Sequence, residues 1–393
     1  MADPAPQPRP PLWLLALLTF SGTLAMHVFV PALPVAARDL GADPAALQAT
    51  ISLYLVGLAL GQLVYGPLSD AFGRRPVLMG GLVLYTIAGL GAALAPGAGL
   101  LILARLFQAL GGCAGLVLGR AMVRDSSEPD EAVRRMALLT LMTLVGPGLS
   151  PILGGLVAAT LGWRAILLLL VAMGAASIAC SWWLLPETGR RAGRLGLAGL
   201  ARDYRSLVTS PAFLGFAIGG GCATTSFYAF VSAAPFILAG ELHQPPQSVG
   251  LCLGLLILGM AAGNLLMRRV VGRVGMDRML VGANALSALA GFGLLALVLA
   301  GGLALWPMLG LMVVFTLGIG MASPAALTRA VGVNPSVIGS ASGLYGAAQM
   351  GVGALCTALA GLGPDPALAA ALVLSGAGIV SQFAFWIALR SRT

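Results

Sequence analysis

The sequence predicts an all-α membrane protein with 12 transmembrane helices, because of its composition and the spacing of its apolar runs. Of the 393 residues, 59% are hydrophobic and only 9% are charged, and the mean hydropathy is +0.96. A soluble globular domain is about 25% charged. A helical span needs roughly 20 apolar residues, and lipid forces the backbone polar groups of each span to pair within the helix. Long apolar runs in this chain are therefore interpreted as spanning helices.

Twelve such runs follow one another, separated by charged residues or by breaks that contain Pro and Gly. They cover residues 12–36, 46–66, 77–95, 99–121, 136–158, 164–185, 211–236, 248–267, 279–300, 304–327, 337–361 and 367–389. The first run is longer than the roughly 7–15 apolar residues of a secretory signal, so we expect it to be retained as the first helix.

The twelve runs use nearly the whole chain, which leaves no room for a soluble catalytic domain. We therefore expect a protein that is not an enzyme and that needs no cofactor. The five cysteines fall inside predicted spans without paired spacing. This arrangement predicts buried thiols, no disulfide and no metal site.

The basic residues indicate the orientation of the chain in the membrane. All 22 are arginines, and the formal net charge is +9. With a cytoplasmic N-terminus, every arginine except Arg38, Arg105 and Arg164 falls on the cytoplasmic side, as the positive-inside rule requires. We expect a multi-pass protein of the bacterial inner membrane with both termini in the cytoplasm. The charge then serves topology and contact with anionic lipid, and we expect no nucleic-acid partner.

The longest polar segment divides the chain near its midpoint. We predict an N-terminal six-helix bundle at 1–189, a cytoplasmic linker at 190–210 and a C-terminal six-helix bundle at 211–393. Part of the linker is expected to lie on the membrane surface as a short helix. The two halves share a faint repeat, because aligning Gly275 with Gly73 keeps the basic residues of this loop and loses its acid.

The loop between the second and third predicted spans carries spaced charged and turn-forming residues. It reads G-x-L-x-D-x-x-G-R-R-x-x-L, with the specified positions at Gly66, Leu68, Asp70, Gly73, Arg74, Arg75 and Leu78. Placed between two spans, this pattern resembles the corresponding loop of major facilitator superfamily transporters. The resemblance implies a major facilitator fold, with two pseudo-symmetric six-helix bundles and a substrate held between them near the midplane.

We expect this loop to act as a conformational switch. Gly73 supplies a backbone angle that other residues avoid. Asp70 is expected to face a helix N-terminus or a guanidinium, and its candidate partners are Arg74, Arg75 and Arg120. Such a cluster would latch the cytoplasmic ends together and release them as the halves tilt. The alternative is that Arg74 and Arg75 only set topology.

The fifth predicted span contains Gly146, Pro147, Pro151, Gly154 and Gly155. It resembles the G-P-x-x-x-x-x-x-G-G element of exporters within the same superfamily, with a second proline added. Each proline removes a backbone hydrogen bond of the helix and kinks the helix. Small residues four apart on this span, and on the fourth and eleventh, indicate close helix packing. The packing is either static or forms a seam along which the halves rock.

Two basic residues inside the spans are candidates for proton coupling. Arg105 and Gln108 lie in a segment that resembles the family's R-x-x-Q-x-x-G element. A charge at the membrane centre costs about 2.5–3.5 kcal/mol on insertion scales, so Arg105 is expected to face a wet cavity or a partner. The alternative is that it reaches the outer headgroups.

The second candidate is His27, which begins the run H-V-F-V-P-A-L-P. This run resembles the D-M-Y-L-P-A-L-P segment of bicyclomycin-resistance-type drug exporters, with His27 at the position of the aspartate. An imidazole has an unperturbed pKa near 6.5 and exchanges protons around neutrality. Because it is charged when protonated, its coupling to Arg105 would be repulsive. The alternative is a neutral His27 bonded to a neighbouring helix.

The resemblance implies a proton-coupled secondary active exporter of small lipophilic compounds or antibiotics, working by alternating access as a monomer. Alternatives are an exporter or facilitator of a native metabolite, such as a sugar or amino-acid derivative, and a non-transporting receptor or scaffold. The sequence has no GxxxxGK[ST] element, which argues against an ATP-driven pump. A drug cavity needs adaptable apolar, aromatic and hydrogen-bonding side chains. The candidates are Met26, Phe29, Tyr54, Gln108, Phe227, Tyr228, Phe230, Asn264, Tyr345 and Gln349.

Overall fold

The α-helices of the computed structural model follow one another with short connections, and residues 9–189 and 197–391 are described. Over those residues there is no β-strand. Four of the arginines assigned to the cytoplasmic side lie outside the described residues: Arg190, Arg191, Arg194 and Arg392. The first group of helices is α1 (Leu12–Phe29), α2 (Leu33–Asp39), α3 (Pro44–Phe72), α4 (Arg74–Ala93), α5 (Ala98–Asp125), α6 (Pro129–Thr160) and α7 (Trp163–Leu184). The second group is α8 (Leu197–Val208), α9 (Pro211–Thr225), α10 (Phe227–Phe236), α11 (Pro246–Val274), α12 (Met276–Leu299), α13 (Leu305–Val331), α14 (Ile338–Ala360) and α15 (Pro366–Arg390).

Eleven segments of the described chain are long and apolar enough to cross a membrane. They match eleven of the twelve predicted spans in order. The remaining predicted span, 136–158, falls within α6, where several side chains are outside the described residues. The all-helical membrane fold is confirmed, and the count of twelve stays a prediction. Helices α3, α5 and α11 are longer than the apolar runs that predicted them, because their ends extend past the apolar region with polar residues.

Two glycines with left-handed backbone mark the same point in each half. Gly73, with φ of 100°, joins α3 to α4, and Gly275, with φ of 82°, joins α11 to α12. Only glycine adopts such angles without a steric penalty from Cβ. The sharp reversal therefore recurs where the sequence repeat places it.

The helix ends define two ends of the molecule. Helices α3, α5, α11 and α13 all finish at one of them, which we call the arginine-rich end because Arg74, Arg124, Arg273 and Arg329 lie there. We call the other end the opposite end. The amphipathic helix α8 belongs to the arginine-rich end, where Asp203 accepts a hydrogen bond of 2.9 Å from Ser340 at the start of α14.

Two helix pairs make the most extensive contacts between the first group and the second, α3 with α14 and α6 with α11. In the second pair the backbone of Gly250 lies against the Pro151 carbonyl, near the opposite end. A Cβ added at Gly254 would lie 3.0 Å from the Ile152 side chain. The contact between the halves is thus tight at the opposite end, and we call it the opposite-end seam.

Most of the small-residue stripes that the sequence suggests pack within one half. The backbone at Gly115 of α5 lies against the Leu18 carbonyl, and that at Gly154 of α6 lies against the Val28 carbonyl, both on α1. On α14, Gly343 faces Gln62 of the other half. The stripes on α5 and α6 therefore pack within the first half, on α1 and, at Gly111, on α4. That this packing is static stays a prediction.

Candidate functional site

A cavity of about 840 Å³ lies between the two halves at the arginine-rich end. Its walls come from α3, α4, α5, α6, α8, α13 and α14. Its apolar wall includes Leu116, Val117, Leu118, Met136, Leu200, Leu327, Val331 and Ile338. Its polar and charged wall includes Gln62, Ser69, Asp70, Arg74, Arg120, Arg124, Tyr204, Thr328, Ser340 and Ser342.

Arg74 is the centre of an ionic cluster beside this cavity. Its guanidinium donates hydrogen bonds of 2.5 Å to Asp70, 2.5 Å to the Ser69 hydroxyl and 2.8 Å to Asp125. Its backbone N–H donates to a carboxylate oxygen of Glu187 at 2.9 Å. Charge-assisted bonds of this kind are among the strongest in proteins. The cluster ties the ends of α3, α4 and α5 to the segment that follows α7.

The other two candidate partners of Asp70 do not contact it. Arg75 donates instead to the backbone carbonyl of Trp182, at 2.5 Å. Arg120 lines the cavity without a hydrogen bond or ion pair to Asp70. All the partners of Arg74 belong to the first half, so in this conformation the cluster ties one half together. Its action as a latch between the halves stays a prediction.

The second half carries an ion pair that corresponds to Arg74–Asp125, but the acid and the arginine have exchanged helices. Asp277, near the start of α12, lies 2.6 Å from the guanidinium of Arg329, near the end of α13. In the first half the arginine begins α4 and the acid, Asp125, ends α5. We did not predict this pair, because the alignment of the two halves considered only the position that corresponds to Asp70. The signal was an acid two residues after the turn Gly275.

Arg105 is fully buried inside the first half. It donates to the Ala25 carbonyl at 2.9 Å and to the Gln108 side-chain oxygen at 2.8 Å. Its guanidinium also lies over the rings of Tyr54, at 4.4 Å, and Phe29, at 5.1 Å. These contacts offset the cost of burying the charge. The alternative in which Arg105 reaches the headgroups is therefore excluded in this conformation.

His27 is buried where the two halves meet. Its Nδ1 lies 2.8 Å from the Thr23 carbonyl of its own helix, and its ring centroid lies 6.0 Å from that of Tyr228 on α10. A carbonyl only accepts hydrogen bonds, so Nδ1 carries a hydrogen and Nε2 is left to take a proton. Among the described residues His27 makes no hydrogen bond to a neighbouring helix, which was the alternative interpretation, and bonds only to its own helix. A small apolar pocket beside the ring is lined by His27, Val30, Pro151, Phe227, Val231, Leu253 and Ile257.

None of the ten predicted substrate contacts lines the large cavity in this conformation. Met26, Phe29, Tyr54, Gln108, Phe227, Phe230 and Tyr345 are buried in helix contacts, and Phe227 also borders the pocket at His27. Gln349 donates to the Thr224 hydroxyl at 2.7 Å, and Asn264 donates to a carbonyl of its own helix. The prediction rested on side-chain type, which does not say which helix face points inward.

The glycine and proline residues of α6 face two different partners. Gly146 packs against the Phe20 ring and Gly154 against the Val28 carbonyl of α1, while Gly155 is also buried. Pro151 borders the pocket at His27, and its carbonyl meets Gly250 of α11. Helix α6 therefore connects the helix that carries His27 to the second half, with Pro147 and Pro151 inside it.

The sequence model of the Major Facilitator Superfamily matches residues 15–357. This chain belongs to the Major Facilitator Superfamily. It is 28% identical over 376 residues to the bicyclomycin resistance protein homolog of Haemophilus influenzae. That alignment covers 95% of this chain and 94% of the relative. It is 36% identical over 178 residues to multidrug resistance protein D of Escherichia coli strain K12, 45% of each chain.

The fold agrees with this membership. The crystal structure of a D-xylose-proton symporter superposes with a TM-score of 0.78, covering 95% of this chain and 96% of that chain at 14% identity. Identity that low bears on the fold alone. The chain is therefore a membrane transporter of the major facilitator fold and not an enzyme, and its relatives include multidrug and bicyclomycin resistance proteins.

Proposed function

We propose that this protein is a proton-coupled exporter of small lipophilic compounds, including antibiotics, in the bacterial inner membrane. The names of its bicyclomycin resistance and multidrug resistance relatives support the substrate class. By the positive-inside rule, the arginine-rich end and both termini lie in the cytoplasm. The observation that carries the proposal is the placement of His27 within the closed contact between the halves, with an open cavity at the other end.

In this orientation the structure corresponds to an inward-facing form. The halves meet at the opposite-end seam, which blocks the periplasmic side, and the cavity between them opens toward the cytoplasm. Substrate enters the cavity from the cytoplasm. Rocking of the two halves about the central site then exposes it to the periplasm.

His27 links this motion to the proton. No residue that lines its pocket carries a charge of opposite sign. Closing the periplasmic side around an imidazolium would bury an unpaired charge, which is expensive. The closed pocket described here therefore favours the neutral imidazole. His27 takes up its proton from the periplasm in the outward-facing form and gives it up toward the cytoplasm when the halves close around it. Arg105 contacts the same helix at the Ala25 carbonyl and adds repulsion for the charged form.

The proton gradient is large enough for this task. One pH unit across the membrane is worth about 1.4 kcal/mol per proton, and 100 mV adds about 2.3 kcal/mol per charge. Together these support a concentration gradient of several hundredfold for a neutral substrate at one proton per cycle.

The test compares the two histidines of the chain. His27→Asn keeps a donor for the Thr23 carbonyl and removes the proton site, while exposed His243, which has φ of 51°, is replaced in the control His243→Asn. Asparagine tolerates that left-handed backbone. A pump-deficient bacterium expressing wild type is first screened against a panel of antibiotics that includes bicyclomycin. Export of a protected compound is then driven by an imposed pH gradient in proteoliposomes.

We expect His27→Asn to abolish pH-driven export at an unchanged amount of protein in the membrane, with the control behaving as wild type. Export that still follows the pH gradient in His27→Asn would reject His27 as the proton carrier. Protection against a single metabolite, with none against unrelated antibiotics, would favour the alternative of a metabolite exporter.

A further inference from the structure

Two arginines in the wall of the large cavity have no counter-ion. Arg120 and Arg124 both line the cavity, and both are exposed to it. Within the described chain neither guanidinium has a hydrogen-bond or ion-pair partner. They stand four residues apart on α5, so they lie on one helix face, where like charges repel. An uncompensated pair of this kind attracts an anion.

The other charged groups that face the cavity cancel one another. These are Asp70 of α3 and Arg74 of α4, which pair at 2.5 Å. Asp125 and Glu187, which also bind Arg74, are not among the residues that line the cavity. The described walls from α6, α8, α13 and α14 contribute no charged side chain. The lining therefore carries two positive charges in excess, both from α5.

The protein interior between the cavity and the opposite end is also unfavourable for a cation. His27 and Arg105 are the titratable nitrogen groups buried there, and the described spans hold no acid away from their ends. A positively charged compound moving through the centre would meet basic groups only. An anion would meet two guanidinium groups that are able to form charge-assisted hydrogen bonds.

We propose that the cavity selects amphiphilic organic anions, with an acidic group held by Arg120 and Arg124 and an apolar body against the wall of Leu116, Val117 and Leu327. The inference rests on the proposed function, since it takes this cavity as the entry site of the exported compound. It also has an energetic consequence, because a membrane potential that is negative inside drives an anion outward.

The test measures binding by full-length protein in nanodiscs of phosphatidylcholine, without a proton gradient. The probes are fluorescein, an anion, and rhodamine 123, a cation on the same three-ring core, and the readout is fluorescence anisotropy. The variants are Arg120→Gln and Arg124→Gln. Arg273→Gln is the matched control, because Arg273 is exposed at the same end of the molecule and does not line the cavity.

We expect wild type to bind fluorescein about tenfold more tightly than rhodamine 123, as befits charge-assisted hydrogen bonds. Each cavity variant should weaken fluorescein binding about fivefold to tenfold without weakening rhodamine 123, and Arg273→Gln should match wild type. Arg120→Lys, which keeps the charge, should retain most of the affinity. Preference for the cation, or equal fluorescein binding by all variants, would overturn the proposal.

A further arm separates a soluble anion from a lipid headgroup of the same chemistry. Fluorescein binding is repeated in discs that contain phosphatidylglycerol. Persistent binding supports a soluble anion, and its loss would assign the two arginines to lipid and overturn the proposal. Since no proton gradient is present, failure of His27→Asn to block export would leave this result untouched.

Discussion

At the residue scale, Arg105 shows how a charge persists inside a membrane helix. Its guanidinium is flat, so one face covers the Tyr54 ring while its edges donate to Ala25 and Gln108. Tyr54 in turn donates to the Gly22 carbonyl at 2.7 Å. One side chain thereby ties α5 to α3 and to α1, the helix that carries His27.

We predict that Arg105→Lys lowers both stability and export. An ammonium is compact and has no flat face, so it cannot stack on Tyr54 and bond both oxygens at once. Leaving one buried polar group unpaired costs about 1–3 kcal/mol. The checks are the thermal midpoint in detergent and the level of antibiotic protection, with Arg273→Lys as control. A midpoint and protection equal to wild type would show that charge alone suffices.

At the element scale, the helices of the first half approach one another through glycine. The backbone at Gly115 and at Gly154 is closer to a carbonyl of α1 than a Cβ would permit. In lipid no hydrophobic effect drives helix association, so close packing of small residues supplies much of it. This close packing holds α1, and with it His27, against both α5 and α6.

We predict that Gly115→Ala destabilises the first half. The added methyl would overlap the Leu18 carbonyl, and forcing the helices apart typically costs about 1–3 kcal/mol. Gly351→Ala is the control, because an added Cβ at this helical position meets nothing within 4 Å. Thermal unfolding in detergent, followed by light scattering, should show a lower midpoint for Gly115→Ala alone. Equal midpoints would contradict the close contact.

At the scale of the whole molecule, the two ends of the interface between the halves differ. The opposite-end seam is tight at Gly250 and Pro151, while the arginine-rich end holds the cavity. Two packed states of the same interface are what alternating access requires. The helix α8 is bonded to α14 through Asp203 and Ser340, so we expect it to move with the second half.

We predict that Gly250→Met shifts the molecule toward the outward-facing form. The larger side chain would press on the Pro151 backbone and wedge the seam apart, and overpacking of about 1–3 kcal/mol corresponds to a population shift of about fivefold or more. The measurement is labelling of Ser342→Cys, a cavity position, by an impermeant maleimide added to the cytoplasmic side.

Labelling should fall in Gly250→Met. The control is Gly240→Met at the same end, since an added Cβ there meets nothing within 4 Å, and it should label as fully as the parent. Protein without the added cysteine gives the background from the five native thiols. Unchanged labelling in Gly250→Met would mean that this contact does not hold the opposite end shut.

Much of the fold was readable from local patterns. Apolar runs predicted twelve spans, and the structure confirms eleven of them. Gly73 and Gly275 predicted the matching turns in the two halves. The resemblance in the loop at Asp70 indicated the superfamily, which the family comparison confirms. These features depend on residues that are close in the chain, so the order of amino acids suffices to specify them.

The neighbours of each span were decided by tertiary structure alone. In a membrane helix the lipid-facing and helix-facing sides are both apolar, so periodicity does not separate them. For this reason Met26, Tyr345 and Gln349 were assigned to a cavity that they do not line. For the same reason only the packed structure brought Asp125 to Arg74, set His27 between the halves, and left Arg120 and Arg124 facing the cavity without an acid.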